Sequence, residues 1–134
     1  MKALFLGGTG TISSACVRLA LEQGWEITLL NRGNRPAPEG VEQIRADAKN
    51  MDEVKAALGD RTFDVVAEFI GFQPLDVQGD IELFRGKCGQ YIYISSASAY
   101  QKPVANLPIT ESTPLCNPYW QYSRDKIACE EILM

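Results

Sequence analysis

The stretch that decides the fold is Leu4–Ser14, LFLGGTGTISS. An apolar run from Lys2 to Gly7 reads as a buried strand, and Thr11 to Gln23 behind it reads as a helix. Between them stand Gly7, Gly8 and Gly10. Glycine weakens strands and helices, so a cluster at a strand-to-helix handover marks a place where backbone must come close to something. Gly7 suits a tight turn, and Gly10 lets helix N-terminal amides approach an anion such as a pyrophosphate. Ser13 can serve as the small residue needed where helix and strand pack closely. The competing reading is a glycine-rich turn with no ligand, and the glycines alone do not decide it.

The rest of the chain repeats the rhythm. Ile12, Ala15, Cys16, Leu19 and Ala20 are the expected buried face of the first helix, which Gly24 ends. Glu26–Leu30 is the next strand, and a loop rich in Gly and Pro follows. Val41–Ala46 is a third strand. Asn50 with Glu53 forms a capping box opening a helix to about Leu58. Phe63–Phe69 is a fourth strand, apolar nearly throughout. Pro74 opens a helix to about Phe84, Gln90–Ile94 is a fifth strand, and after a long loop a last helix covers Tyr119 to Met134. Strands alternating with helices predict an α/β fold, a doubly wound parallel sheet of about five strands. Its ligand belongs beyond the C-terminal strand ends, where the glycines lie.

Composition narrows the chemistry. The 134 residues suffice for one domain, and 46% hydrophobic with 22% charged residues describes a globular chain. A net charge of −4 without a basic run argues against nucleic acid as partner. No stretch is apolar for long enough to span a bilayer, and the N-terminus does not read as a secretory signal, so the expected location is cytoplasmic. The four cysteines are widely spaced and histidine is absent, which disfavours zinc and removes the commonest general base. Acid–base work then falls to tyrosine, lysine or a carboxylate.

Three places suit a dinucleotide and its chemistry. The second strand ends in Asn31-Arg32 with Arg35 nearby, offering a guanidinium where NAD-binding proteins present an acid. That suits a 2′-phosphate, hence NADP over NAD, although a solvated loop arginine has the same appearance. Asp47, followed by Ala48, ends the third strand and is placed for an adenine amino group or for a turn. Phe69-Ile70-Gly71 would pass under the nicotinamide ribose, or is simply core. Finally, Ser95-Ser96 end the fifth strand, while Tyr122 and Lys126, four apart, share a helical face. A lysine charge favours the phenolate form of a nearby tyrosine, so the pair can act as a general acid–base. An ordinary surface pair is the default reading of these two residues alone.

Taken together, FLGGTGTIS, NRG, Asp47, YIYISSASAY and YSRDK resemble the short-chain dehydrogenase/reductase superfamily in its extended, nucleotide-sugar epimerase/dehydratase-like branch. The resemblance covers the whole chain. It implies that Gly7, Gly10, Thr11 and Ile12 border the pyrophosphate, and that the positions of Arg32 and Asp47 meet the adenosine end. It implies too that Ser96 bonds the substrate oxygen, Tyr122 exchanges the proton, and Lys126 holds the nicotinamide ribose and assists the tyrosine. Ser13 departs from the family's third glycine. GFQP at Gly71–Pro74 and SASAYQKP at Ser96–Pro103 point to an atypical subgroup. Some relatives there, including chloroplast RNA-associated proteins, use the fold for binding.

The expected activity is that of an oxidoreductase or epimerase/dehydratase acting at a carbinol or carbonyl carbon of a small molecule, a nucleotide sugar among the candidates. The alternative is a non-catalytic dinucleotide sensor or an RNA- or protein-binding member. DKIACEEILM ends inside a helix, so the chain is expected to be the N-terminal cofactor-binding part of a longer protein, inactive alone. The open edge of Gln90–Ile94 would then invite self-association as a homo-oligomer.

Overall fold

A computed structural model describes Met1–Met134. Five strands, β1 (Lys2–Leu6), β2 (Glu26–Asn31), β3 (Glu42–Arg45), β4 (Phe63–Glu68) and β5 (Cys88–Tyr93), form one parallel sheet ordered β3-β2-β1-β4-β5. The helices are α1 (Thr11–Glu22), α2 (Met51–Leu58), α3 (Pro74–Phe84) and α4 (Gln121–Leu133), with a short 3₁₀ turn at Ala97–Ala99. This is the doubly wound, Rossmann-like α/β arrangement. Strand order reverses between β1 and β4, and the glycine-rich turn leaves the C-terminal end of β1 at that point. No helix is long and apolar enough to cross a membrane.

The chain divides into two compact units: Met1–Ile70 with Gly79–Ile94, and Gly71–Gln78 with Ser95–Met134. The first has a core on each sheet face, because successive strand residues point to opposite sides. Leu4, Leu6, Leu30 and Val66 pack with Val54 and Leu58 of α2 and with Leu83 and Phe84. Ala3, Phe5, Ile27, Leu29, Val65 and Ala67 pack with Val17 and Ala20 of α1.

The buried stripe of α1 is Ser13, Val17 and Ala20, so of the expected face only Ala20 is buried. Ile12 and Leu19 are 64% and 55% exposed, and Ala15 and Cys16 also face out. The short turn from Gly7 fixes which side of the helix meets the sheet, and small residues at 13 and 20 permit close approach. Ser13 can be buried because its Oγ accepts the Gly10 N–H at 2.9 Å. At α2 Asn50 caps the helix by accepting the Glu53 N–H, but the expected capping box is incomplete. The Asn50 N–H donates to Asp47 O at 2.9 Å, and the Glu53 carboxylate accepts from Asn50 Nδ2 at 2.9 Å and from the Asp47 N–H at 3.0 Å instead.

Candidate functional site

The first unit carries the glycine-rich turn. Gly7 has φ +108°, and Cβ atoms built at Gly7 and Gly8 would lie 3.1 Å from Ile70 Cγ2 and 2.4 Å from Leu29 Cδ2. Both glycines are therefore demanded by the fold itself, through left-handed backbone and packing. Gly10 is different. Its φ is −85°, and a Cβ there would meet only Ser13 Oγ, at 3.4 Å. Nothing in the fold requires glycine at this position, so its missing side chain leaves room for something outside the protein. The first intrahelical bond runs from Ser14 N–H to Gly10 O, which leaves the Thr11, Ile12 and Ser13 amides as the unpaired donors of the first turn. No acidic residue stands there. The donor set fits a dinucleotide pyrophosphate.

Around this turn the structure gathers several expected residues. Phe69 N–H donates to Leu6 O at 3.2 Å, and the Ile70 side chain lies against Gly7. Glu68, 2% exposed, accepts the Ile70 N–H on its carboxylate. Asn31 is a brace: Nδ2 donates to Gly7 O at 2.8 Å, while Oδ1 accepts from Gly33 N–H and Gln43 Nε2 at 2.8 and 2.9 Å. With its amide so engaged, Asn31 orients the glycine-rich turn. Arg35 Nη1 donates to Thr9 O at 2.9 Å, a second tie to the same turn. Arg32 is exposed, and the Arg45 side chain crosses Gly33, 2.8 Å from where a Cβ would stand. Asp47 Oδ1 accepts the Lys49 N–H at 3.0 Å, the turn geometry that was one of its two readings. Ala48 beside it is buried.

The second unit holds the acid–base candidates. Tyr122 is half-buried on the first turn of α4, its ring 4.8 Å from Trp120 and 6.1 Å from Phe72, centroid to centroid. Lys126, one turn on, is 1% exposed. Its Nζ donates to Gly71 O at 2.9 Å and stands 5.0 Å from the Phe72 centroid and 5.8 Å from that of Tyr122. A chance Tyr/Lys pair on a helix surface would leave its ammonium in water, because burying one is costly. Here the ammonium is held among a carbonyl and two aromatic faces.

Ser96 precedes the 3₁₀ turn, and its Oγ accepts the Ser98 N–H at 3.2 Å. Sequence reasoning missed Ser98, Asn117 and Ser123, which form a hydrogen-bonded group with it. Only their place in the quoted SSASAY and YSRDK stretches could have marked two of them.

With this geometry in view, known proteins can be compared. Residues 3–134 match the model of the NAD dependent epimerase/dehydratase family. The chain is 30% identical to a UDP-glucose 4-epimerase of Lactobacillus helveticus, covering 99% of this chain and 46% of that protein. It is 31% identical over 116 residues to the chloroplast stem-loop binding protein of 41 kDa b of Arabidopsis thaliana, covering 75% and 30%. Among solved structures, the UDP-Glc/GlcNAc 4-epimerase of Campylobacter jejuni superposes with a TM-score of 0.83 at 24% identity, over 98% of this chain and 47% of that one. The UDP-glucose 4-epimerase of Bifidobacterium longum, solved with NAD+ and UDP, gives 0.83 at 20%, over 99% and 48%. The chain thus spans less than half the length of each of these four proteins. A match across nearly every residue, with the glycine turn at the strand-order reversal, identifies the chain as a member of the NAD dependent epimerase/dehydratase family.

Proposed function

We infer that the chain is the dinucleotide-binding part of an epimerase- or dehydratase-type enzyme acting on a nucleotide sugar in the cytoplasm. The observation that carries this reading is Lys126, 1% exposed, with its ammonium held 5.8 Å from the Tyr122 ring centroid. A chance surface pair would leave that ammonium in water; buried beside a phenol, it can serve proton transfer by the tyrosine as well as hold a ribose. When bound, the nicotinamide supplies the acceptor and donor of a hydride. Tyr122 takes the proton from the substrate hydroxyl or returns it, Ser96 bonds the same oxygen, and Lys126 assists the tyrosine and holds the nicotinamide ribose. Gly7, Gly10, Thr11 and Ile12 seat the pyrophosphate, Asp47 and Ala48 border the adenine, and Phe69, Ile70 and Gly71 border the nicotinamide ribose.

The cofactor preferred on this reading is NADP(H). Arg32 follows β2 directly, is exposed, and presents a guanidinium where a carboxylate would select NAD. One charge-assisted contact to a 2′-phosphate contributes about 1.5–3 kcal/mol, a factor of about ten or more in affinity. A binding role is the second reading. It is favoured by the similarity to the Arabidopsis stem-loop binding protein and opposed by the net charge of −4.

The test uses the full-length native protein and has two arms. Incubation with UDP-galactose should yield UDP-glucose, and absence of any conversion of either nucleotide sugar would remove the enzymatic reading. Calorimetry should show tighter NADP(H) than NAD(H), a difference largely erased in Arg32→Ala. Tighter NAD(H) at moderate salt would overturn the role given to Arg32.

A further inference from the structure

The second unit contains a chain of hydrogen bonds that reaches Ser96. Its direction is fixed at the far end. Asn117, 7% exposed, accepts the Tyr119 N–H on Oδ1 at 3.2 Å, and its Nδ2 donates to Ser98 O at 2.8 Å. A backbone donor on one side and a backbone acceptor on the other leave a single orientation for the amide. The same Nδ2 donates to Ser123 Oγ at 3.3 Å. Ser123 is fully buried and donates its own proton to Ser98 Oγ at 2.9 Å. Ser98 Oγ lies 2.9 Å from Ser96 Oγ. Either hydroxyl can be the donor in that contact, and Ser96 Oγ also accepts the Ser98 N–H at 3.2 Å. With Ser98 as the donor, Ser96 Oγ receives two donors and its own proton remains for a partner outside the chain.

We propose that Asn117, Ser123 and Ser98 are positioning residues that make Ser96 a hydrogen-bond donor to the substrate oxygen. This rests on the reading in which Ser96 addresses that oxygen. The consequence is a division of labour. A serine whose lone pairs are occupied cannot act as the base, so it stabilises negative charge on the oxygen while Tyr122 moves the proton. Donors strengthen one another along such a chain, because each donated proton polarises the next hydroxyl. Ser123 adjoins Tyr122 on α4, so one turn of one helix carries both the proton-moving group and an anchor of the oxygen-holding group.

Two measurements on the full-length native protein decide the matter. The first is NMR of protein labelled at serine Cβ in mixed light and heavy water, where a slowly exchanging hydroxyl splits the Cβ signal. Ser98 and Ser123 should each show a split signal in the unaltered protein, and splitting at Ser98 should vanish in Ser123→Ala. Averaged signals at both serines would overturn the chain whatever the enzyme does. The second is kinetics with UDP-galactose. Ser98→Ala should lower kcat about tenfold or more with little change in KM, and Ser98→Thr should restore most of it. In a Ser96→Ala background the same Ser98→Ala change should cost no more than about twofold, because the two act as one unit. Unchanged kcat in Ser98→Ala, or an undiminished loss in the Ser96→Ala background, would overturn the positioning role. If the unaltered protein leaves UDP-galactose untouched, the enzymatic reading fails, and the NMR result still decides the chain.

Discussion

Gly8 and Gly10 are two residues apart and have opposite reasons to be glycine. At Gly8 the backbone is left-handed, φ +83°, and an added methyl would run into the Leu29 side chain of the core. At Gly10 the backbone is one that any residue adopts, and an added methyl meets a single oxygen at van der Waals distance. Stability and binding should therefore separate. Gly8→Ala should destabilise the native protein by about 1–3 kcal/mol, read as a lowered Tm. Gly10→Ala should change stability by less than about 1 kcal/mol. It should nevertheless weaken dinucleotide affinity, with Gly10→Val weakening it further. Unchanged calorimetric affinity in a folded Gly10→Val protein would show that the pyrophosphate lies elsewhere. The sequence made the glycine spacing legible but not this distinction, because spacing cannot say which Cβ the fold would tolerate. Asn31 teaches the same lesson. Its place at the end of the second strand suggested ligand contact, and the structure adds what spacing could not show, a side-chain amide that ties Gly7, Gly33 and Gln43 together.

At the scale of elements, strands and helices follow from apolar runs, Gly24, Pro74 and the Asn50 cap, and their limits fall within about two residues of expectation. The face of α1 did not follow. Hydrophobicity pointed to Ile12 and Leu19, but the turn before the helix sets its rotation and small residues set its distance from the sheet. Buried polar groups were equally hidden. Tyr91 on β5 donates to Asp80 Oδ2 of α3 at 2.7 Å, and Asp80 is 2% exposed. Burial first, then the Asp80 carboxylate, pushes the Tyr91 phenol far above its ordinary value of 10. A folded-state value above the unfolded one means that this stabilisation is fully present below about pH 10 and is lost as pH rises beyond it. Ultraviolet titration of the native protein beside Tyr91→Phe should therefore show that Tyr91 resists ionisation until the protein unfolds. Tyr91→Phe removes a hydrogen bond to a buried carboxylate and should cost about 1.5–3 kcal/mol in denaturant unfolding. A loss-free Tyr91→Phe, or ionisation of Tyr91 at its ordinary value in the folded protein, would contradict the pairing.

For the molecule as a whole, the fold and family were legible because several weak motifs stand in a fixed order along one chain. The proposed chemistry was legible only in part. Tyr122 and Lys126 are four apart in any helix, but burial of the ammonium against Gly71 O and Phe72 depends on residues about fifty positions earlier, which spacing does not reveal. The hydroxyl group around Ser98 was hidden for the same reason, since Asn117 and Ser123 reach it across a long loop. The proposed function stands on proton transfer through Tyr122. The most direct test is Tyr122→Phe in the full-length native protein, with turnover of UDP-galactose and calorimetric cofactor affinity measured side by side. Turnover should fall by about a hundredfold or more, with cofactor affinity nearly unchanged. Substantial turnover by Tyr122→Phe would contradict it and move the proton transfer to another group, Tyr119 or Tyr100 being the next candidates.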